Sequence, residues 1–295
     1  MIIGVLGPKG SYTEKAAQQW LIEKHSNECR IKCNDVSADD SLSLQYCEDI
    51  QDVFSFLQDG SLDIGLVPVE NSIEGSVGVT LDMLLEHEIT IVGETVVAIE
   101  HCLLSKGRKE DIRIILSHPQ ALAQCRHFLK ENFKGAELRT TGSTSHAARL
   151  ATEFEEMAAI ASRESAQMYD LNILLSNIQD REHNHTRFLV IVSAGCTPIC
   201  PNRTESSACK TSIIVYLDRD RPGALYEILG EFARRKINLT RIESRPSKKK
   251  LGDYLFYIDL EGNTSDDIIK EAIYNVESKV GMLKMLGSYP ASNPV

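Results

Sequence analysis

Residues 184–192 read NHTRFLVIV, and they join a polar cluster to the apolar run 188–192. An unbroken run of aromatic and β-branched residues is typical of a buried strand. Thr186 and Arg187 stand at the mouth of this strand. Either they belong to a solvated loop end, or the strand holds their side chains at a functional site.

Strands and helices are predicted to alternate along the chain that precedes this stretch. Short apolar runs predict strands, and amphipathic segments between them predict helices. The clearest strands are expected at residues 2–6, 62–69, 90–98, 112–116 and 158–161, and the clearest helices at 13–24, 81–87, 120–132 and 163–169. This alternation predicts an α/β domain with a largely parallel sheet over residues 1–192.

A different unit is predicted after this domain. Residues 193–209 contain Gly, Pro, Ser and Thr without hydrophobic periodicity, which predicts a linker. Residues 210–289 then follow the order strand, helix, strand, strand, helix, strand. That order is the ferredoxin-like βαββαβ arrangement, so we expect a small α+β domain at the C-terminal end.

Composition excludes several classes of function. The 295 residues carry a formal net charge of −10, and no Lys/Arg run is long enough to form a nucleic-acid surface. No apolar stretch approaches the roughly 18 residues of a membrane span, and the N-terminus has no signal-peptide pattern. We therefore expect a cytoplasmic protein without nucleic-acid or membrane partners. The CxxxC pairs Cys29/Cys33 and Cys196/Cys200 lack His partners in register, so we expect free thiols and no metal site.

Four predicted strand-to-helix junctions open with small hydroxyl, amide or glycine residues, at 10–14, 71–76, 117–120 and 143–145. Each would supply unpaired backbone N–H groups and the positive end of a helix dipole. Simple N-capping explains any one of them, and Ser11 with Glu14 fits a capping box. Four together, at the carboxyl ends of strands, make a site for a small carboxylate plausible. The sequence has no nucleotide-binding or nucleophile-elbow motif.

Three strings of the first domain resemble the prephenate dehydratase family: residues 7–13 (GPKGSYT), 67–77 (VPVENSIEGSV) and 184–188 (NHTRF). Two further strings, 222–225 (PGAL) and 243–246 (ESRP), are similar to the phenylalanine-binding motifs of ACT domains. The five strings occur in the family's order and cover nearly the whole chain. Only the predicted linker has no counterpart.

The resemblance implies a fold and a reaction. The first domain is expected to fold like a type II periplasmic binding protein, with a cleft between two α/β lobes. The implied reaction converts prephenate to phenylpyruvate with loss of carbon dioxide and water, in phenylalanine biosynthesis, without a metal or an organic cofactor. The ACT domain implies feedback inhibition by L-phenylalanine and a homodimer or tetramer. Arogenate dehydratase and a non-catalytic amino-acid sensor are the alternatives.

The resemblance also implies roles for individual residues. Thr186 is expected to assist the leaving hydroxyl as a hydrogen-bond donor, and Arg187 to hold a substrate carboxylate. Glu70 or Glu74 is either the proton donor or a structural hydrogen-bond acceptor. Asn71 and Gln120 complete the expected catalytic set. The expected substrate-binding residues are Ser11, Thr13, Ser72, Ser143, Thr144 and Phe188, although capping explains several of them equally well.

Three histidines in polar stretches are weighed as acid–base groups. His118 precedes Pro119 at a predicted helix start and is expected to be structural, and His183 and His185 are assigned to a loop. In the C-terminal unit, the resemblance implies an effector site. Its expected residues are Gly223, Ala224, Leu225, Glu243, Ser244, Arg245 and Pro246.

Overall fold

The computed structural model describes residues 1–26, 30–32, 42–195, 197–199, 209–217, 221–248 and 253–292. In chain order, the strands within these ranges are β1 Ile2–Leu6, β2 Arg30–Lys32, β3 Ser43–Cys47, β4 Ile64–Asn71, β5 Gly75–Ser76, β6 Ile89–Ala98, β7 Cys102–Ser105, β8 Ile114–Ser117, β9 Glu137–Thr140, β10 Met157–Ala161, β11 Asn172–Leu175, β12 His185–Ser193, β13 Thr197–Ile199, β14 Cys209–Tyr216, β15 Leu239–Pro246, β16 Tyr254–Glu261 and β17 Met282–Pro290. The helices are α1 Tyr12–Ser26, α2 Ile50–Gln58, α3 Gly78–Glu86, α4 Pro119–Gln124, α5 Arg126–Asn132, α6 Thr144–Leu150, α7 Arg163–Met168, α8 Ala224–Arg234 and α9 Asp267–Glu277, with a short 3-10 helix at Lys109–Asp111.

The first lobe is built on a sheet with the strand order β3-β1-β4-β12-β6, and the short β5 pairs with β4. The run 188–192 lies in β12, and its side chains are buried between helices on the two faces of this sheet. The predicted buried strand is therefore confirmed. The predicted parallel character is wrong in part, because β12 runs antiparallel to both β4 and β6. The chain enters β12 from the second lobe, and this reverses its direction.

The second lobe contains a sheet with the order β11-β7-β10-β8-β9. Here β7 runs antiparallel to its neighbours, whereas β10, β8 and β9 are parallel. In the first sheet, β3 lies on the outer side of β1, β4 lies on its inner side, and β12 lies between β4 and β6. The second sheet repeats this order, with β9 on the outer side of β8, β10 on its inner side, and β7 between β10 and β11. The inserted strands β12 and β7 each adjoin a crossover between the lobes. This shared order confirms the two-lobed fold of the type II periplasmic binding proteins.

The segment 71–76 differs from the sequence-based expectation. It forms a turn between β4 and β5 rather than a helix start, and α3 begins only at Gly78. The Oδ1 atom of Asn71 accepts hydrogen bonds from the backbone N–H groups of Ile73 and Glu74, at 2.9 and 3.0 Å. An asparagine that satisfies the backbone in this way stabilises a turn in place of a helix. Three helix starts, not four, therefore remain as candidates for anion binding.

The C-terminal unit has the predicted βαββαβ order, with its antiparallel sheet arranged β15-β16-β14-β17. Helices α8 and α9 cover one face, where Ile228, Phe232 and Val276 pack on the sheet. The other face packs on the first lobe, and Tyr257 and Tyr289 belong to the same apolar core as residues of that lobe. Burial of this shared core stabilises the contact between the two units.

Most of the predicted linker 193–209 lies outside the described residues, as do the cysteines of both CxxxC pairs. Between the members of these pairs, β2 and β13 run antiparallel and pair with each other. Within the described ranges, no helix has both the length and the apolar composition needed to cross a bilayer.

Candidate active site

A cleft of about 310 Å³ lies where the two lobes meet. The first lobe supplies the end of β1, the start of α1, and side chains of β4 and β12. The second lobe supplies the starts of α4 and α6. The polar residues that line it are Ser11, Tyr12, Thr13, Asn71, His101, His118, Gln120, Gln124, Ser143, Thr144, Ser145 and Thr186.

Strand geometry determines which side chains of β12 enter the cleft. Successive side chains of a strand point to opposite faces of the sheet, so Thr186 and Phe188 share one face and Arg187 has the other. Thr186 and Phe188 line the cleft. The opposing strand β4 contains a bulge, since Arg187 pairs with Glu70 but Phe188 pairs with Pro68. The bulge places Pro68 and Asn71 on the cleft side and leaves Glu70 on the other face.

A chain of hydrogen bonds connects Thr186 to the second lobe. The Nδ2 atom of Asn71 donates to Thr186 Oγ1 at 2.9 Å and to Asn184 Oδ1 at 2.8 Å. Asn184 Nδ2 donates to Gln124 Oε1 at 3.0 Å, and His101 Nε2 lies 2.8 Å from the same oxygen. Because Thr186 Oγ1 accepts from Asn71, its own proton remains for another acceptor. Among the described residues no such acceptor is found, and a ligand in the cleft can take that place.

Three helix starts surround the cleft, at Ser11–Thr13, His118–Gln120 and Ser143–Thr144. Ser11 and Ser143 act as N-caps, accepting from Glu14 N at 3.2 Å and from His146 N at 3.0 Å. Ser11 also donates to Leu6 O at 2.6 Å, so its hydrogen is already used. Thr13 and Thr144 make no side-chain hydrogen bond within the described part of the chain. Their hydroxyl groups therefore remain available to a ligand.

The wall of the cleft has no formal charge of its own. None of the described residues that line it is Arg, Lys, Asp or Glu. The helix N-termini and neutral donors are therefore the groups that attract an anion here. A site built from helix dipoles and neutral donors, without the expected arginine, is compatible with a small molecule that carries carboxylates, and that ligand stays a prediction.

The cleft wall contains one tyrosine and two histidines, Tyr12, His101 and His118. Burial raises the pKa of Tyr12 well above its ordinary value, and its hydroxyl donates to Glu100 O at 2.5 Å. Burial lowers the pKa of His101, although the hydrogen bond to Gln124 opposes the shift. His118 caps α4 and accepts from Gln120 N at 3.3 Å. The structural role predicted for His118 is therefore seen.

The predicted contact of Arg187 with substrate does not agree with the structure. Its guanidinium lies on the face of β12 away from the cleft, with Asp259 Oδ2 of the C-terminal unit 2.5 Å from Nη2. Glu94 Oε2 lies 3.6 Å from Nε. Burial opposes the positive charge, but these carboxylates outweigh it and raise the pKa of Arg187. Arg187 therefore joins the two units of the chain, because it alternates with the side chains that face the cleft.

Three other predicted residues also lie outside the cleft lining. Glu70 shares the face of Arg187 and forms an ion pair with Arg241 at 3.5 Å. Ser72 holds the loop before β12, since its hydroxyl donates to His183 O and accepts from His185 N. Glu74 is exposed, and its Oε1 accepts from Gln124 Nε2 at 3.4 Å. Glu70 and Glu74 were each expected to be either the proton donor or a structural hydrogen-bond acceptor. Their contacts agree with the structural role.

The expected effector residues occupy two places in the C-terminal unit. Gly223 has φ of 86°, and Ala224 and Leu225 begin α8 after it. On the edge strand β15, Ser244 and Pro246 are exposed, whereas Arg245 Nη2 contacts Asp82 of the first lobe at 3.1 Å. Glu243 pairs with Tyr257 on the face that packs against that lobe. The alternation of β15 thus divides the string 243–246 between the two faces of the sheet.

Sequence reasoning missed Tyr12, His101 and Gln124 as residues of the site. A signal existed for Gln124, because it follows Gln120 by four positions on one helix and so shares its face. No local signal identified His101, which lies in the crossover between the lobes. Its neighbours Tyr12 and Gln124 come from distant parts of the sequence.

These features define a class of protein: a two-lobed α/β domain with a polar, uncharged cleft between its lobes, attached to a ferredoxin-like unit. The sequence pattern of the family described as prephenate dehydratase matches residues 3–195, and that of the ACT domain matches residues 211–278. The chain belongs to the prephenate dehydratase family, a family of lyases, and carries an ACT domain.

Individual relatives agree with this assignment. The chain is 42% identical over 286 residues to a prephenate dehydratase of Methanocaldococcus jannaschii, covering 96% of each chain. It is 37% identical to arogenate dehydratase/prephenate dehydratase 2 of Arabidopsis thaliana, covering 96% of this chain and 71% of that protein. The crystal structure of a prephenate dehydratase from Arthrobacter aurescens in complex with L-Phe superposes with a TM-score of 0.81 at 32% identity, covering 98% of this chain and 90% of the other.

Proposed function

We propose that this protein converts prephenate to phenylpyruvate, with loss of carbon dioxide and water, in the pathway to L-phenylalanine. The observation that supports this most directly is the hydroxyl of Thr186. It lies in an uncharged cleft, and its oxygen is occupied by Asn71 while its proton is not used. Helix N-termini and neutral donors surround it.

In the proposed mechanism, the residues around the cleft act mainly by orientation and hydrogen bonding. The two carboxylates of prephenate bind at the helix starts, where Thr13, Thr144 and Gln120 add donors to the dipoles. Thr186 donates to the hydroxyl oxygen of the ring, which stabilises the negative charge that develops as the C–O bond breaks. The electron pair of the lost carboxylate enters the ring, which becomes aromatic. Asn71 keeps the Thr186 oxygen in place during this step.

Assays with prephenate and arogenate separate the two dehydratase activities. Arogenate carries an ammonium group where prephenate carries a keto group. No carboxylate among the described residues lines the cleft, so an ammonium group loses its hydration without gaining an ionic partner. We expect kcat/KM for prephenate to exceed that for arogenate by about tenfold or more. Equal values would assign the chain to arogenate as well, and no turnover of either substrate with retained L-Phe binding would indicate the non-catalytic sensor.

The C-terminal unit is proposed to bind L-Phe and to inhibit the reaction when it does so. The support is the ACT assignment, the two strings around Gly223 and Ser244, and a relative crystallised with L-Phe. A homodimer or tetramer is part of this proposal, because such sites usually lie between two ACT domains. Sedimentation analysis with and without L-Phe measures this assembly state.

Substitution of Gly223 tests the regulatory role. A Cβ atom at this position would meet no atom within 4 Å, so G223A changes the preferred backbone conformation rather than the available space. A non-glycine residue at positive φ costs about 1–3 kcal/mol, which corresponds to roughly 5- to 150-fold in an equilibrium. The free variant can relieve this strain by changing the turn, and L-Phe must then restore the turn in order to bind. We therefore expect the half-inhibitory concentration of L-Phe to rise by up to that factor, with kcat in the absence of L-Phe unchanged.

The matched control is G60A in the first lobe. Gly60 also has positive φ, at 79°, and a Cβ atom there also meets nothing within 4 Å. It should cost comparable stability and leave inhibition by L-Phe unaltered. The regulatory proposal is contradicted if G223A and G60A respond to L-Phe identically.

A further inference from the structure

We propose that His101 contacts the substrate, and that its Nδ1 atom accepts a hydrogen bond from the hydroxyl group that leaves during the reaction. His101 is only 2% exposed and forms part of the cleft wall. Its Nδ1 has no hydrogen-bond partner in the described chain. Buried polar atoms are nearly always paired, so an unpaired acceptor beside a ligand cleft points to a donor on the ligand. This inference rests on the proposed function and extends its site.

The direction of the hydrogen-bond chain is fixed at Asn71. Its Oδ1 accepts from two backbone N–H groups, those of Ile73 and Glu74, which can only donate. The amide of Asn71 therefore cannot be reversed, and its Nδ2 must face Asn184 Oδ1 and Thr186 Oγ1. It follows that Asn184 presents its own Nδ2 to the next member of the chain, Gln124.

The same direction continues through Gln124 to His101. Gln124 Oε1 accepts from Asn184, and Gln124 Nε2 lies 3.4 Å from the carboxylate of Glu74, which only accepts. The oxygen of Gln124 therefore also faces His101, and the 2.8 Å contact requires a proton on His101 Nε2. Burial lowers the pKa of this imidazole and so favours the neutral ring. In the neutral ring, Nδ1 is then a bare acceptor.

The substrate offers one group that matches this acceptor. At neutral pH the carboxylates and the keto group of prephenate only accept hydrogen bonds, so its hydroxyl is its one conventional donor. The hydrogen bond from Asn71 leaves the proton of Thr186 free to donate. The hydrogen-bond chain from Asn71 through Asn184 and Gln124 leaves Nδ1 of His101 free to accept. The hydroxyl can therefore accept from Thr186 and donate to His101. As the C–O bond breaks, its electron pair leaves with the oxygen, which takes up a proton from solvent water. The water that departs still has a hydrogen for His101.

The immediate surroundings of the imidazole restrict this contact. The ring of Tyr12 stands edge-on to His101, with 6.3 Å between the ring centroids, and Nδ1 is covered in this structure. The proposed contact therefore requires the side chains that cover Nδ1 to move when substrate enters. The backbone N–H of His101 is held separately by Gln179 Oε1 at 3.0 Å, which fixes the main chain during such a movement.

Three substitutions of His101 distinguish whether its side chain contacts the substrate or only holds Gln124 in place. In H101N the side-chain oxygen can occupy the position of Nδ1, whereas in H101Q the amide can occupy the position of Nε2 and keep the bond to Gln124. H101F removes both. We expect kcat/KM for prephenate to fall by about 10- to 100-fold in H101Q and H101F, and by clearly less in H101N.

Competitive inhibition by phenylpyruvate is the control in each variant, because phenylpyruvate lacks the hydroxyl group. Its inhibition constant should stay at the wild-type value in all three. The proposal is overturned if H101Q keeps wild-type kcat/KM, or if phenylpyruvate binding weakens in parallel with kcat/KM, since that pattern describes a structural role. Absence of prephenate turnover in the wild type would instead contradict the proposed function.

Discussion

Replacing Thr186 by valine is expected to lower kcat for prephenate by about 100- to 1,000-fold, the range observed when one preorganised donor to a developing negative charge is removed. Valine has nearly the same shape as threonine but no hydroxyl group. The donor is proposed to act mainly as the C–O bond breaks, so KM should change little. Steady-state kinetics of phenylpyruvate formation measure both constants. Thr186→Ser, which keeps the hydroxyl, should recover much of the activity.

Thr95→Val is the matched control for this substitution. Thr95 lies on β6, the strand beside β12, and pairs with Phe188. It is fully buried, and its hydroxyl has no partner among the described residues. Removing an unpaired buried hydroxyl should leave activity unchanged and stability equal or higher. The catalytic role proposed for Thr186 is refuted if the kcat of Thr186→Val equals that of Thr95→Val.

Replacing Arg187 by methionine is expected to lower the free energy of unfolding by about 3–5 kcal/mol, since breaking a buried ion pair leaves a buried charge without compensation. The side chains of Arg187 and Asp259 are 12% and 6% exposed, and Asp259 Oδ1 also accepts from Ser212 at 2.6 Å. Burial opposes the charge of Asp259, but Arg187 outweighs it and lowers the pKa of this carboxylate. Denaturant unfolding measures the loss, and the double variant R187M/D259N should be less destabilised than the sum of the single variants.

The kinetics of R187M separate the two roles that Arg187 can have. If its guanidinium held a substrate carboxylate, KM for prephenate would rise steeply in protein that is still folded. Its position on the face opposite the cleft predicts instead that KM is nearly unchanged under folding conditions. Arg139→Met serves as the control for the arginine side chain, because the Arg139–Glu137 pair is exposed and should contribute little to stability. A large rise in KM without loss of stability would restore Arg187 to the site.

Local patterns were sufficient for the alternation of strands and helices and for part of the site. The apolar run 188–192 predicts a buried strand, and hydrophobic periodicity predicts the βαββαβ order of the C-terminal unit, as the structure has both. Small polar residues at helix starts predicted Ser11, Thr13, Ser143 and Thr144 near a ligand, and all four line the cleft. Such features depend on neighbouring residues, which a sequence displays directly.

The positions of Arg187, Glu70 and His101 could not be obtained in this way. A string such as NHTRF places Thr186 and Arg187 together, although a strand sends adjacent side chains to opposite faces. The bulge at β4 then moved Glu70 to the face of Arg187, and a bulge is defined by pairing with a distant strand. His101 entered the site because the crossover between the lobes brings it to Gln124.

The sequence by itself determined the strand that carries Thr186, the helix starts around the cleft, and the family to which the motifs belong. Only the tertiary structure decided that Thr186 faces the cleft between the lobes while Arg187 faces Asp259. The same holds for the direction of the hydrogen-bond chain from Asn71 to His101. The physical reason is that periodicity is a local property, whereas burial, ion pairing and the direction of a hydrogen bond depend on partners that folding brings together from distant parts of the chain.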